Sequence, residues 1–254
     1  MQQSNGYIII FSAILTVVLG GALAIASVSL KPAQKKQVEL DTKRQILSAV
    51  MDLDENANVI DVYDNRIKSV VVNYDGMIVE KDEEGNELVA ENIDIGKQYK
   101  RDSLERYYPV FKFMAENGQD VESYILPVYG KGLWDDIFGY LAVDGSFKEV
   151  VGVTFDHKAE TPGLGARITD AEVQERFQGK KLFDEVGKLV SVQMVKGESG
   201  NPSIYDEYHV DGLSGATKTA QGVNDMLKNY AGFYQNYFNR INNGEESTTS
   251  QVIR

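Results

Sequence analysis

The sequence contains no cysteine among its 254 residues. Disulfide staples, thiolate zinc sites, iron–sulfur ligation and cysteine nucleophiles are therefore excluded, although the compartment is not. Histidine is scarce: His157 and His209 are the only two, and neither has a metal-ligand spacing such as His-Glu-x-x-His. Both read as surface or structurally satisfied side chains. Asp135-Asp136 and Asp82-Glu83-Glu84 lack the EF-hand order and read as solvated turns, so no metal site is expected. Positive charge is also in deficit. The formal net charge is −12 and no basic stripe with interleaved aromatics occurs, which argues against nucleic acid. There is no P-loop Gly-Lys-Ser/Thr. Gly163-x-Gly165 is followed by Ile168 where a dinucleotide fingerprint wants a third glycine, and no βαβ frame surrounds it.

The one long uncharged run is Tyr7 to Leu30, 24 residues, enough to span a bilayer with some tilt. A cleaved signal peptide is the rival reading, because Ala22-Leu23-Ala24 and Ala24-Ile25-Ala26 resemble cleavage sites. The absence of Lys or Arg before the run, and its length, favour a retained anchor. Lys31, Lys35, Lys36, Lys43 and Arg44 all follow the run, so the positive-inside rule favours a cytoplasmic body. Long domains translocate largely regardless of that rule.

Four segments follow from these patterns: an anchor over 1–30, an amphipathic connector over 31–57 with a helix starting behind Pro32, a main domain over 58–242 and a flexible tail over 243–254. Within the domain, 69–81 predicts two short strands about Asp75-Gly76. Residues 137–155 predict a hairpin about Asp144-Gly145-Ser146. Thr169-Asp170-Ala171-Glu172 reads as a capping box before a short helix. Residues 191–195 read as a strand. Val223, Leu227, Tyr230, Tyr234, Phe238 and Ile241 recur at helical spacing, predicting a long amphipathic helix that starts near Thr219 or Ala220. The fold class is α+β: a twisted antiparallel sheet flanked by helices, behind a single transmembrane helix.

The chemistry-bearing stretch is Asp211-Gly212-Leu213-Ser214-Gly215-Ala216-Thr217-Lys218-Thr219. Small residues allow close backbone approach, three hydroxyls are present, Lys218 adds positive charge, and the run enters a helix N-terminus. Two readings stand on composition alone: a phosphate cradle, or an ordinary N-cap made by Thr217 or Thr219.

The same stretch resembles the flavinylation motif of FMN-binding domains, an Asp followed by Ser/Thr-Gly-Ala-Ser/Thr-x-Thr/Ser. The likeness implies FMN esterified through its phosphate to Thr219 by a dedicated flavin transferase, with Asp211, Ser214, Gly215, Ala216 and Thr217 at the recognition and cradle positions. Lys218 holds the motif's variable position. With Gly132-Leu133-Trp134 and Glu160-Thr161-Pro162-Gly163-Leu164-Gly165 in the same order, nearly the whole chain is similar to the C-subunit family of the sodium-translocating NADH:quinone oxidoreductases. The G component of the Rnf electron-transport complex shares the domain and motif. A membrane-anchored adaptor without flavin is the alternative of another class.

What the resemblance implies is an electron-relay subunit of a bacterial inner-membrane complex that oxidises NADH, reduces quinone and exports sodium. Its partners would be the other subunits and, during maturation, the flavin transferase. The flavin domain would be periplasmic, and neither a catalytic acid or base nor an NADH site is expected in this chain. Leu133, Trp134, Glu160, Thr161, Gly163 and Leu164 would line the flavin. A lone Trp134 also fits a buried core position.

Overall fold

A computed structural model describes residues 4–54, 57–201 and 205–245. The chain divides into two compact units, Met1–Lys43 and Arg44–Arg254. The first is formed by helix α1, Asn5–Ser48, the one described helix long and apolar enough to cross a membrane. Its apolar side chains, Ile9, Val17, Leu23 and Val28 among them, are exposed. Pro32 lies inside α1 and does not open a second helix. A proline removes one backbone hydrogen bond, and the helix-compatible sequence on either side carries the helix past it.

The second unit begins within the last turn of α1. Ile46 and Leu47 are fully buried there, Gln45 Nε2 donates to Asp156, and the Thr154 hydroxyl donates to the Gln45 carbonyl. Helix α2 (Val59–Arg66) follows, capped by Asn58, whose side chain accepts from the Asp61 N–H. A five-stranded antiparallel meander is the body's frame: β1 Ile67–Val72, β2 Tyr108–Met114, β3 Val121–Lys131, β4 Asp136–Asp144 and β5 Val150–His157, in that spatial order. Helix α3 (Ile95–Tyr99) lies between β1 and β2 in sequence. β3 is central and reads as a nearly continuous buried run because both its faces are covered. Leu126, paired with Leu141, faces one side; Ile125, flanked by Phe111 and Ala142, faces the other.

After β5 the chain makes a 3₁₀ turn, Gly165–Thr169, and helix α4, Ala171–Glu175. A two-residue parallel pair, β6 Gln193–Met194 with β7 His209–Val210, precedes α5, Thr217–Asn242. Helix α5 buries Val223, Leu227, Tyr230, Tyr234 and Phe238, and each such side chain contributes roughly 1.5–3 kcal/mol of burial. The Tyr234 hydroxyl donates to the Pro109 carbonyl at 2.8 Å, so the buried phenol is satisfied. Gly222 faces the Lys131 carbonyl, where a side chain would collide with the end of β3.

Several local expectations change. Only the first strand of 69–81 forms; the second is reduced to two isolated bridges, Val72 with Ile78 and Lys81 with Glu87. The 137–155 hairpin forms, but Asp144 organises its loop by accepting from the Lys148 and Glu149 N–H groups, and Phe147 takes the positive φ of 58°. The capping box does not form. Asp170 is the N-cap, the Thr169 hydroxyl turns back to the Ala166 carbonyl, and Glu172 pairs with Arg176. Asp135-Asp136 is not a solvated turn: Asp136 is buried and held by Lys131 and Lys158. Burial raises its carboxyl, but the two lysines outweigh burial and hold it well below the usual carboxylate range. Of the expected tail, 246–254 lie outside the described residues.

Candidate functional site

Three loops converge where α5 begins. The first leaves β3 at Gly132-Leu133-Trp134, the second leaves β5 at Glu160 to Gly165, and the third is 211–216, which enters α5. Helix α5 starts at Thr217, two residues earlier than its apolar periodicity suggests, with Ala216 at the N-cap and no side-chain cap bond. The N-cap reading of Thr217 or Thr219 is thereby displaced. Thr219 sits in the first turn and points inward, only 1% exposed.

The Thr219 hydroxyl donates to Glu160 Oε2 at 2.6 Å. Glu160 is itself 4% exposed, and its Oε1 accepts from the Trp134 N–H at 2.9 Å. One carboxylate therefore ties the first two loops to the first turn of α5. Its own backbone N–H donates to His157 Nδ1 at 3.2 Å, which gives His157 a supporting role at the site. Gly132 and Gly165 flank Glu160 so tightly that a Cβ on either would run into its carboxylate. The convergence is thus built from a buried acid, a buried hydroxyl and two glycines that make room for them.

The outer wall is apolar and open. Trp134 is 69% exposed and Leu133 50%, so the buried-core position for the lone Trp is not what the fold adopts. Its indole N–H donates to the Thr161 hydroxyl at 3.1 Å, which fixes the ring beside the second loop. Leu164 is also exposed, and a Cβ built on Gly215 would fall 3.0 Å from its Cδ2. Gly163 supplies the turn with a φ of 74°. Ser214, Gly215, Thr217 and Lys218 are exposed at the helix mouth, while Ala216 is buried. Free N–H groups at this N-terminus, small residues and an apolar wall fit the phosphate and ring of a flavin nucleotide.

Asp211 behaves differently from the rest of the motif. Its carboxylate does not join the Thr219–Glu160 pair. It accepts from the Ser199 and Gly200 N–H groups, at 2.8 and 2.6 Å, and from the Tyr205 hydroxyl at 2.8 Å. Burial pushes its carboxyl up, but these donors prevail and hold it below the usual range. It anchors the preceding loop and so fixes where the motif starts.

A brace with no signature in the sequence secures the other side. Glu198 bridges Arg167 and Arg176, each at 2.7 Å, and accepts from the Ser214 N–H at 3.3 Å. Arg176 also donates to the Gly212 carbonyl at 2.8 Å. The hydrogen bonds from Arg167 and Arg176 draw the Glu198 carboxyl down to about 2. Three charged residues far apart in sequence carry no signal of this contact; only the fold juxtaposes them.

Comparison with known proteins agrees with this geometry. The FMN-binding domain family matches residues 132–232, which start at the first loop and end within α5. The Na(+)-translocating NADH-quinone reductase C subunit of Pseudomonas aeruginosa is 32% identical over 91% of this chain and 93% of its own. Its Haemophilus ducreyi counterpart is 33% identical over 86% of each. Among solved structures, the corresponding protein of Parabacteroides distasonis superposes with a TM-score of 0.68 at 33% identity, covering 82% of this chain and 96% of that one. Shewanella oneidensis NqrC gives 0.67 at 28% identity, covering 81% and 98%. With relatives matched over as much as 91% of the chain and a family match that contains all three loops, the chain belongs to the C-subunit family of Na(+)-translocating NADH-quinone reductases.

Proposed function

We propose that this chain is the FMN-carrying, membrane-anchored electron-relay subunit of a sodium-translocating NADH:quinone reductase, with FMN esterified to Thr219. The observation that carries the reading is the buried Thr219 hydroxyl on Glu160, at the mouth of α5 and below the exposed Leu133, Trp134 and Leu164. When bound, FMN supplies one- and two-electron redox chemistry. The chain's own residues bind and orient it. The first N–H groups of α5, with Ser214, Gly215, Ala216, Thr217 and Lys218, favour the phosphate. Leu133, Trp134, Thr161, Gly163 and Leu164 offer an open wall to the ring system, and an open wall leaves one edge free for electron exchange. Asp211 and Glu198 hold the motif loop in place from either side. The partners on this reading are the other subunits of the complex and a flavin transferase.

The flavin domain is assigned to the periplasmic face of a bacterial inner membrane. A flavin acceptor is useful only where its transferase works, and a long body translocates regardless of the basic residues after the anchor. Protease protection in intact spheroplasts tests this face: digestion of the body from outside is expected, and protection would reverse the assignment.

The deciding experiment coexpresses the full chain with a flavin transferase and reads flavin fluorescence in a denaturing gel. Wild type is expected to fluoresce and Thr219→Ala to be dark, with the flavin mass on the peptide bearing Thr219. A dark wild type, beside a transferase shown active on another acceptor, would turn the reading toward an adaptor.

A further inference from the structure

Asp136 is a buried carboxylate that has no part in the flavin cradle described above. It opens β4 and is paired across the ladder with Lys131, the last residue of β3. Its Oδ1 accepts from Lys131 Nζ and its Oδ2 from Lys158 Nζ. The backbone repeats the tie, because the Lys158 N–H donates to the Asp136 carbonyl at 3.0 Å. Lys131 immediately precedes Gly132-Leu133-Trp134, and Lys158 stands two residues before Glu160. One carboxylate thus joins the root of the first loop to the root of the second. Lys158 Nζ also donates to the Tyr129 hydroxyl at 3.4 Å, and the Tyr129 ring packs on Tyr99 of α3.

Side chains alternate along a strand, so Asp136 and Ile137 face opposite sides of the sheet. Ile137 lies on the side of Glu160, since a Cβ on Gly132 would meet both. The two loops are therefore tied on both faces, by Glu160 on one and by Asp136 on the other. The ties differ in kind. Glu160 takes neutral donors, whereas Asp136 holds two ammonium groups whose side chains are 61% and 52% exposed. A buried carboxylate paired in this way gains little net stability over apolar packing, and its best-attested use is to fix one arrangement. Charge-assisted hydrogen bonds are short and directional, which suits that use.

We propose that Asp136, gripped by Lys131 and Lys158, is the positioning residue of the flavin wall. It sets the first loop, with Leu133 and Trp134, against the second, with Thr161 and Leu164. The wall is thereby built before the flavin arrives. Its use as a wall rests on the flavin-carrying function proposed above, whereas the clamp itself is testable in the chain without flavin.

Trp134 is the only tryptophan, so its fluorescence reports on the first loop alone. In the full chain without flavin, Asp136→Asn and Lys158→Met are each expected to increase the fast local motion in the Trp134 anisotropy decay about twofold or more. Lys158→Arg keeps the charge and the reach and is expected to match wild type. After coexpression with a flavin transferase, the visible circular dichroism of the bound flavin is expected to fall about twofold or more in the first two variants and to persist in Lys158→Arg. Both readings are taken well below the melting temperature, where lost stability alone does not move them. A wild-type anisotropy decay in a folded Asp136→Asn overturns the proposal, as does a Lys158→Arg that behaves like Lys158→Met. If Asp136→Asn does not fold, the Met and Arg variants of the half-exposed Lys158 decide by the same readings. A wild type that takes no flavin removes the function proposed above and leaves the flavin-free result standing, so the two failures are distinct.

Discussion

Gly165 lies face to face with the Thr219 hydroxyl: a Cβ built on Gly165 would fall 2.5 Å from Oγ1 and collide with the Glu160 carboxylate as well. The Thr219 hydroxyl is thus roofed by a residue from the second loop, at a point where no side chain fits. Gly165→Ala is expected to push the two loops apart and to lower the melting temperature. Overpacking of this kind costs about 1–3 kcal/mol. It should also break the Thr219–Glu160 hydrogen bond and reduce covalent flavin labelling. Labelling and stability both equal to wild type would show that the roof is not tight.

Asp211 satisfies donors from three residues, Ser199, Gly200 and Tyr205. Asp211→Ala leaves the Ser199 and Gly200 N–H groups without their acceptor. A destabilisation of about 1–2 kcal/mol in denaturant unfolding is expected, because an ionised acceptor is lost while the exposed Ser199 and Gly200 can turn to water. Flavin labelling should fall with it, because the start of the motif loop loses its anchor. Asp211→Asn, which keeps one acceptor oxygen, should fall between the two.

The Arg167–Glu198–Arg176 brace gives a specific acid sensitivity. The Glu198 carboxyl is lowered from its ordinary 4.5 to about 2 in the folded chain. A lowered folded value stabilises the protein above the unfolded value and loses that contribution as pH falls through the folded one. The contribution is therefore complete above about pH 5 and drains away toward pH 2. Melting temperature measured across that window should fall less steeply in Glu198→Gln, whose stability is lower at neutral pH. Parallel curves for the two proteins would contradict the brace.

Trp134 is the only tryptophan and stands mostly exposed on the apolar wall. Trp134→Ala is expected to change stability by less than about 1 kcal/mol, as exposed substitutions usually do. The indole should report the cofactor: its emission in wild type is expected to be quenched on flavin attachment. Unquenched emission in a fully labelled chain would place the ring away from Trp134.

The divide between the readable and the unreadable follows the range of the interactions. The span in α1, the 137–155 hairpin and the apolar face of α5 are legible because each depends on neighbours within a few residues. The start of α5, at Thr217 with Ala216 as its N-cap, falls two or three residues before its periodicity places it, because the helix begins where the 211–216 loop ends rather than where its apolar face does. The capping box fails for a related reason: Arg176, fixed by the Glu198 contact, draws Glu172 away from the helix start.

By itself the sequence determined an apolar span, an α+β body and a loop of small residues and hydroxyls that resembles a flavin-attachment motif. Local spacing is enough for each of these, because helical pitch, strand alternation and motif order are properties of adjacent residues. Only the tertiary structure decided that Glu160 meets Thr219 across 59 positions, that Trp134 faces outward, and that Asp211 and Glu198 brace the motif rather than line it. Those outcomes depend on how β3, β5 and α5 end beside one another, and a hydrogen bond between distant residues leaves no periodic trace in the chain that makes it.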